Sequence, residues 1–267
     1  MLGQFIFHTF NHANLSLKVL LRNTVRNGVL NELGSNAKNM YVSLKAYHAG
    51  VLVFSKNDFC TISPGGSIEL SESNCPILAY DTRDYVLVAH CKRDEGSQYF
   101  AQEHQVTYSR RGDSRTTSLV YDQAPVLEAR LKPIVLLAPK VWVSKDVNTH
   151  ISIANGDYSS NDIFETPWKI DLIAQNGKII RTLKLNLKQK DLYFLDVKAM
   201  LTEYLDLTDK LQMITVVAKG ESSACAILTF LQNTITGALA LEHSLSPHYY
   251  MNGDFNKVRK EALLFEK

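Results

Sequence analysis

The chain of 267 residues is poor in cysteine, and the few that it has exclude two classes of small protein. Its four cysteines form neither a Cys-x-x-Cys pair nor any other metal-ligand spacing. They are Cys60, Cys75, Cys91 and Cys225. Four thiols in a chain of this length indicate buried free cysteines in a reducing compartment rather than a disulfide framework. The sequence therefore predicts neither a structural zinc site nor a disulfide-stapled secreted domain.

An excess of charge and a long apolar run are also absent. With 29 Lys and Arg against 27 Asp and Glu, the net charge is +2, which argues against the clustered basic face of a nucleic-acid-binding protein. No apolar run approaches the ~20 residues of a membrane-spanning helix. The first residues, MLGQFIFHTFNH, lack the basic and apolar regions of a secretory signal. We therefore expect a soluble, cytoplasmic protein with neither nucleic acid nor membrane as partner.

What the sequence does contain is many short stretches in which apolar and polar residues alternate. Leu15–Leu21 and Leu183–Leu187 carry leucine or valine at every second position, which is the period of a half-buried strand. Many such stretches at regular spacing predict an all-β fold of two tandem β-sandwich or jelly-roll-like domains, with one or two short helices. The proline-bearing segment 124–140 is predicted to lie between the domains, which we place at 1–125 and 126–267.

Three kinds of local element follow from shorter motifs. Asn176-Gly177, between two apolar runs, predicts a β-hairpin with a type I′ turn. Apolar residues three and four apart in Asp196–Leu207 predict an amphipathic helix, and shorter helical pieces are expected in Asn23–Leu33 and in the tail Gly253–Lys267. Arg111-Gly112-Asp113 spells an integrin-type tripeptide, but in a polar loop of a chain without an export signal it is predicted to be an ordinary turn.

The two halves of the chain share an order of motifs that predicts an internal duplication. Tyr85–Asp113 and Met213–Asp254 each hold an apolar run, a Gly-bearing turn, a second apolar run that ends in Glu-His, and a closing Gly-Asp. We interpret each segment as a β-hairpin, so that one hairpin is used twice. Two earlier pairs align in the same order: Tyr41–Ala46 with His150–Ala154, and Val51–Asn57 with Ile170–Asn176. Any two sandwiches of one topology would share part of this agreement, and that alternative stays open.

Motifs of catalysis and of metal binding are missing. A bicupin metal site needs two histidines two residues apart on one strand, and no His-x-His occurs. The sequence has no Gly-x-Ser-x-Gly, phosphate loop, dinucleotide fingerprint or His-Glu-x-x-His either. It therefore predicts no catalytic residue, no metal ligand and no cofactor.

Aromatic and histidine residues of the second half form the candidate ligand site. Trp168, His243, His248 and Tyr249 are predicted to share one partly exposed pocket, because loop aromatics beside polar groups suit stacking on a sugar or another small ring. The two Glu-His pairs add three further candidates: Glu242, Glu103 and His104. Adjacent strand residues face opposite sides of a sheet, so neither pair can act as a dyad. A strand-end cap, or a hydrophobic plug at the end of a sandwich, is the competing interpretation.

The segment Val86–Tyr108, VLVAHCKRDEGSQYFAQEHQVTY, resembles the terminal hairpin of the sensory rhodopsin transducer superfamily. That family has an apolar strand that ends in a histidine near an Arg-Asp turn, which His90 and Arg93 match. The second half matches less, since Ala218-Lys219 stands where the histidine would be, and the family's single-domain length and N-terminal motif are not matched. The resemblance implies a small β-sandwich that oligomerises and binds small molecules, carbohydrates among them. It adds His90 and Arg93 to the candidate ligand-binding residues.

These observations favour a non-catalytic protein that binds a small molecule or sugar with two β-sandwich domains. A structural or protein–protein interaction module that forms a homo-oligomer is the first alternative. An enzyme of a class whose motifs we do not recognise is the second.

Overall fold

The protein is an all-β chain of two sandwiches in a computed structural model that describes residues 2–23, 38–79, 81–93, 104–112, 116–121, 134–155, 165–220 and 225–243. The first half contributes β1 (Leu2–His8), β2 (Leu15–Arg22), β3 (Met40–His48), β4 (Val51–Ile62), β5 (Ser67–Leu70), β6 (Val86–Arg93), β7 (His104–Arg110) and β8 (Thr116–Tyr121). The second half contributes β9 (Ile134–Val143), β10 (Val147–Asn155), β11 (Glu165–Ala174), β12 (Ile179–Lys188), β13 (Asp191–Asp196), β14 (Gln212–Gly220), β15 (Cys225–Asn233) and β16 (Leu239–His243). Among the described residues, the helical elements are α1 (Val197–Leu201) and two 3₁₀ turns, Asn11–Ala13 and Pro76–Leu78.

Four antiparallel sheets of four strands each build the two sandwiches. Sheet I has the order β1-β6-β3-β4 and sheet II the order β5-β2-β7-β8. Sheet III has the order β12-β11-β14-β9 and sheet IV the order β13-β10-β15-β16. Every strand of the first half thus has a counterpart eight strands later in the same position of the matching sheet. The predicted all-β fold is confirmed, and common descent of the halves stays a prediction because unrelated sandwiches can share a strand order.

The predicted pair of hairpins, Tyr85–Asp113 and Met213–Asp254, is wrong. Strand β6 lies in sheet I between β1 and β3, so both of its edges are taken, and β7 pairs with β2 and β8 in sheet II instead. The same holds for β14 and β15, which belong to sheets III and IV. The two Glu-His pairs are not counterparts either, because His104 begins β7 whereas His243 ends β16.

Two other predicted features differ in detail from the structure. Asn176-Gly177 does connect β11 to β12, but only Gly177 has a positive φ, of 83°. The turn is therefore type I followed by a left-handed glycine, with a register shift between Leu172 and Ile173, rather than type I′. The predicted helix 196–207 is only the five residues of α1, capped by Asp196, whose Oδ1 accepts a hydrogen bond from Ala199 N at 2.8 Å.

Strand β9 takes up part of the segment that was predicted to separate the domains. The described strands of the first sandwich end at Tyr121 and those of the second begin at Ile134, so the predicted boundary falls in residues 122–133, outside the described part of the chain. Pro139 lies in β9, which is an edge strand of sheet III, the position in a sheet that tolerates a missing N–H. The ladder with β14 shifts register there, between Ile214 and Val216.

Alternation of residue type decides which side chains enter each core. In β2, Leu15, Leu17 and Val19 are buried, whereas Ser16 and Lys18 point away from the sandwich. This is the period-2 pattern of a strand with one face packed and the other in water. Each fully buried aliphatic side chain contributes roughly 1.5–3 kcal/mol to stability.

Strands β6 and β10 are instead buried on both faces, and this double burial joins the two domains. In β6, Leu87 and Ala89 face the first core, while Val86 and Val88 pack against Ala154 of β10. A continuous apolar run such as Val86–Ala89 is typical of a strand that is covered on both sides.

One buried polar contact fixes the same face. The imidazole Nδ1 of His8, on β1, shares a hydrogen bond of 2.6 Å with the hydroxyl of Ser152 on β10. The backbone oxygen of His8 also accepts the hydroxyl of Tyr108 at 2.5 Å. The face of sheet I that looks away from sheet II therefore packs against sheet IV of the second domain.

Acid is expected to destabilise the fold, because three histidines are held neutral by burial. Desolvation lowers the pKa of His8 from 6.5 to about 3, and lowers those of His90 and His104 to about 4. The unfolded chain binds these protons near pH 6.5 and the folded chain does not. Stability is therefore complete above about pH 6.5 and falls as pH drops toward 4, by up to about 1.4 kcal/mol per pH unit for each histidine.

Urea unfolding at about pH 7, 6 and 5 measures this loss. His104→Leu removes one of the three titrating groups, so the free energy of unfolding should fall less steeply as the pH drops. Leucine should be tolerated there, because both ring nitrogens of His104 lack a hydrogen-bond partner among the described residues and the ring packs edge-on against Phe5 at 3.9 Å. A urea midpoint that does not change between pH 7 and 5 would contradict the prediction.

Candidate functional site

An open groove of about 580 Å³ lies on the outer face of sheet II, the face that looks away from the first core. Its floor is formed by outward-facing residues of two paired strands, Ser16 and Lys18 on β2 and Ser109 on β7. One wall is the loop Ser71–Ser73 after β5, and the other is the turn Arg110–Gly112 after β7. Four serine hydroxyls therefore surround the space.

The side chain of Arg111 is fixed before any ligand arrives. Only 14% of it is exposed, and its guanidinium forms an ion pair with Glu72 across the groove. Its Nη2 donates to Asn11 Oδ1 at 3.1 Å, and its backbone N–H donates to Asn14 O at 3.0 Å. The wall formed by Arg111 is therefore held by the facing loop and by the 3₁₀ turn Asn11–Ala13.

The facing loop is ordered by its own hydrogen bonds. The N–H of Ser71 donates to Asn74 Oδ1 at 3.0 Å, and the Asn74 amide donates to Glu69 O at 2.7 Å. The hydroxyls of Ser71 and Ser73 lie 2.8 Å apart. Side-chain to backbone bonds of this kind fix a short loop without regular secondary structure.

Charge in the groove is mixed, with a small positive excess. Lys18 Nζ lies 3.5 Å from Glu69 and Arg111 pairs with Glu72. Arg110 forms no ion pair with any residue that the structure describes. The serine hydroxyls can donate to and accept from a hydroxylated ligand, and the guanidinium groups can donate to it. The excess positive charge suits a ligand that also carries an anionic group.

A second polar cluster, the histidine junction, lies where the domains meet. We give this name to His12, Asp84, His150, Asp196 and Phe194. The His12 imidazole bonds to the Asp84 carboxylate, and His150 Nδ1 lies 3.9 Å from Asp196 Oδ2. The Phe194 ring contacts both imidazoles, with ring centroids 4.0 Å apart for His12 and 5.3 Å apart for His150. The junction is filled by its own side chains and is a contact rather than a pocket.

Electrostatics at the junction oppose protonation of His150. Burial lowers the pKa of His150, the charge of nearby His12 lowers it further, and Asp196 acts in the opposite direction. The two imidazoles lie edge to face, with ring centroids 6.3 Å apart. Neutral His150 is stacked with Phe230 at 6.1 Å, a contact that a buried cation would weaken.

Trp168, the aromatic residue on which the predicted pocket depends, lies in the second core. It is 3% exposed, its indole N–H donates to Thr166 Oγ1 at 3.0 Å, and Gly220 on the neighbouring strand leaves the space that the ring fills. The predicted partly exposed position of Trp168 is therefore wrong. Trp168 was expected to be a loop aromatic, but it lies in a strand, because β11 already begins at Glu165.

Of the other candidates in the second half, the structure describes Glu242 and His243, which lie at the end of β16. Asn155 pairs with Cys225, and His243 pairs with Leu228 three residues further along β15. Glu242 is half-buried, and its backbone oxygen accepts the Thr229 hydroxyl at 3.1 Å. His248 and Tyr249 lie outside the described residues, so the ligand contacts of this group stay a prediction.

The candidates of the first half do not meet in one site. On β6, His90 points to the outer face and Arg93 to the inner one. Arg93 is 3% exposed, and its Nη2 donates to Asn23 Oδ1 at 2.6 Å. His104 is 1% exposed inside the sandwich, and Glu103 lies outside the described residues. Arg93 and His104 therefore belong to the interior, which removes them as surface ligand contacts.

Sequence reasoning missed the groove and the junction. The groove residues are common polar types from separate strands and turns, and only the strand registers bring them together. His12 and His150 come from different domains, so no spacing rule could pair them. The alternation of Ser16 and Lys18 with buried leucines did indicate an outward polar face, which is the one signal that pointed to the groove floor.

Three general features of the described residues concern metal ligands, helix length and free thiols. Within the described ranges, no cluster of three or more His, Cys, Asp or Glu side chains is arranged to hold a metal ion. The helices among those residues are all too short or too polar to cross a membrane. Cys60, Cys75 and Cys91 are free thiols, and burial raises the pKa of Cys75 to about 11.

Comparisons with known proteins establish no family. No protein-family model matches the chain, and no curated protein matches it. Among solved structures it is similar to a Bacteroides uniformis β-glucuronidase 2 bound to a cyclophellitol-6-carboxylate aziridine, at 13% identity and a TM-score of 0.18, over 92% of this chain and 26% of that one. A glycosyl hydrolase family 2 member from Bacteroides cellulosilyticus gives 9% identity and a TM-score of 0.20, over 92% and 28% of the two chains.

The chain thus spans about a quarter of the length of these structures. TM-scores near 0.2 do not establish a shared fold. The resemblance to the sensory rhodopsin transducer superfamily also stays a prediction.

Gly220→Ala is expected to destabilise the second domain. A methyl group at this position would lie 2.1 Å from Trp168 Cε2, so the buried indole must shift. Overpacking of this kind costs roughly 1–3 kcal/mol, which urea unfolding measures. The double variant Gly220→Ala, Trp168→Phe should recover part of the loss because the smaller ring leaves room. If Gly220→Ala unfolds at the wild-type urea concentration, Trp168 does not pack as described.

Proposed function

We propose that the protein is a non-catalytic binding protein, and that the groove on sheet II holds a small, hydroxyl-rich molecule such as a sugar. The observation that carries this proposal is the pre-ordered Arg111 wall facing a serine-lined floor. Small-molecule sites are concave, and a few fixed polar groups orient the ligand in them. The hydroxyls of Ser16 and Ser109 can each donate and accept, which matches the hydroxyls of a sugar.

Two features of the groove support binding without catalysis. Glu72 is the one carboxylate among its described lining residues, and its charge is engaged by Arg111. No histidine or cysteine is among those lining residues, so no imidazole stands beside the groove serines to activate one of them as a nucleophile. The groove is open and carries no aromatic platform, so we expect affinities of roughly millimolar to micromolar.

Filling the groove tests the site. Saturation-transfer NMR with glucose, galactose and glucuronate identifies a ligand, and calorimetry gives its affinity. Ser109→Phe places a ring on the groove floor and should weaken binding by about tenfold or more. Ser55→Phe makes the same change on the exposed edge strand β4 and should leave binding unchanged. Absence of binding by the wild type, or equal binding by Ser109→Phe, would contradict the proposal.

A second candidate function, self-association, is favoured by strand β4. It is a free edge of sheet I, and its first residues Val51, Leu52 and Val53 are 61%, 49% and 42% exposed. The counterpart edge β12 exposes mostly polar residues instead, with Lys184 and Lys188 among them. Lysines protect an edge strand from pairing, and β4 lacks them at 51–55. Antiparallel pairing of two copies along 51–55 would cover these side chains.

Val53→Lys should therefore shift the protein toward monomer. The charge would be placed beside its own copy at a two-fold contact, which disfavours pairing. Sedimentation velocity at about 10 and 100 μM protein measures the change. Ile235→Lys, at a residue 74% exposed in the second domain, is the matched control and should not alter the distribution. A wild-type protein that stays monomeric across this range would exclude the second candidate.

A further inference from the structure

The 3₁₀ turn Asn11–Ala13 touches both the groove and the histidine junction. It follows Phe10, which is fully buried between the domains. The Phe10 ring lies 5.1 Å from that of Tyr108 in the first sandwich. It also lies 5.6 Å from Phe230 and 5.9 Å from Phe194 in the second. The start of the turn is therefore held by side chains of both domains.

On the groove side, Asn11 holds the wall. Its Oδ1 accepts from Arg111 Nη2 at 3.1 Å and its Nδ2 donates to Arg83 O at 2.7 Å. Asn11 as a whole is buried, with 5% of its surface exposed. A rotation or shift of Asn11 would break both bonds at once, so the position of the Arg111 guanidinium follows the position of the turn.

On the junction side, the next residue contacts the second domain. The His12 ring packs edge-on against Phe194 at 4.0 Å, and its backbone N–H donates to Asp84 Oδ1 at 3.2 Å. Asn11 and His12 are consecutive in a turn closed by the bond from Asn14 N to Asn11 O at 2.9 Å. A displacement of His12 is thus passed directly to Asn11.

We propose that the second domain regulates the groove through this turn. Docking of Phe194 and His150 on His12 holds Arg111 in its binding position, and loosening of that contact releases the wall. By reciprocity, a ligand that fixes Arg111 strengthens the contact between the domains. The regulatory meaning of this linkage rests on the proposed binding function, but the linkage itself can be measured without a ligand.

Acid is one input that would loosen the contact. The groups that face His150 are Asp196 on its own domain and His12, with its partner Asp84, on the other. Protonation of His150 places a cation in the stack with Phe194 and next to His12, and Asp196 at 3.9 Å compensates only in part. The charged ring is better solvated outside the stack, so acid favours separation of the junction.

Hydrogen exchange of single amides in the full-length protein tests the linkage. The Arg111 amide, bonded to Asn14 O, reports on the wall. Phe194→Ala removes the ring that contacts His12 and should speed exchange at Arg111 by about fivefold or more. Phe194→Leu retains more of the packing and should give a smaller change in the same direction. Tyr204→Ala alters a second-domain aromatic that is 51% exposed and should give none.

The outcomes separate cleanly. Faster exchange at His12 with no change at Arg111, in either Phe194 variant, would overturn the proposal because the turn would not transmit the change. In the wild type, lowering the pH from about 7 to 5 should speed exchange at Arg111 beyond the intrinsic pH effect, and His150→Gln should remove that excess. If exchange at Arg111 responds to the Phe194 variants but no sugar binds, the binding function is contradicted and the linkage is not. Conversely, suppose that a ligand binds the wild type and loses affinity in Ser109→Phe while exchange at Arg111 does not change in the Phe194 variants. That outcome would contradict the linkage and leave the binding function standing.

Discussion

The packing of sheet I against sheet IV is the contact on which the rest of the structure depends. It explains why β6 and β10 are buried on both faces, since each strand lies between a core and the other domain. The hydrogen bond between His8 and Ser152 adds a polar fixed point at 2.6 Å within that face. Because β1 runs through the contact and ends there, the turn that follows it must lie where both domains can reach it.

Histidines in this contact act as neutral aromatic groups. His8 is 1% exposed and bonds through one nitrogen, and His150 stacks on two phenylalanines. While neutral, such rings pack among apolar side chains, but a proton turns each into a buried cation. The same residues that hold the domains together at neutral pH therefore make the contact sensitive to acid.

The alternation of residues predicted the strands well and their partners poorly. Leucines at every second position identified β2 and β12, since a strand with one buried face alternates between apolar and polar residues. The sequences of β6 and β7 do not show that both edges of β6 are already paired, with β1 and β3. A hairpin was therefore the natural expectation, and it was wrong.

The candidate site was out of reach for the same reason. Burial of Trp168 depends on the absence of a side chain at Gly220, more than fifty residues away and on another strand. His12 meets His150 only because two sandwiches dock, and the groove forms only where a loop and a turn rise on either side of a flat polar face. Contacts of this kind are set by tertiary packing, which single-sequence patterns do not encode.

The two sandwiches use corresponding surfaces in opposite ways. The outer face of sheet II carries Ser16 and Ser109 and is open, whereas its counterpart on sheet IV carries His150, Ser152 and Phe230 and is covered by the first domain. A face that docks needs apolar side chains and few unpaired polar groups, and a face that binds a hydroxylated ligand needs the reverse. The serines of β2 and β7 would leave unpaired hydroxyls in a domain contact, and the rings of β10 and β15 would offer few hydrogen bonds to a hydroxylated ligand in an open groove. The same strand order thus gives a docking face on sheet IV and an open polar face on sheet II. The turn Asn11–Ala13 contacts residues of both regions, the domain contact and the groove.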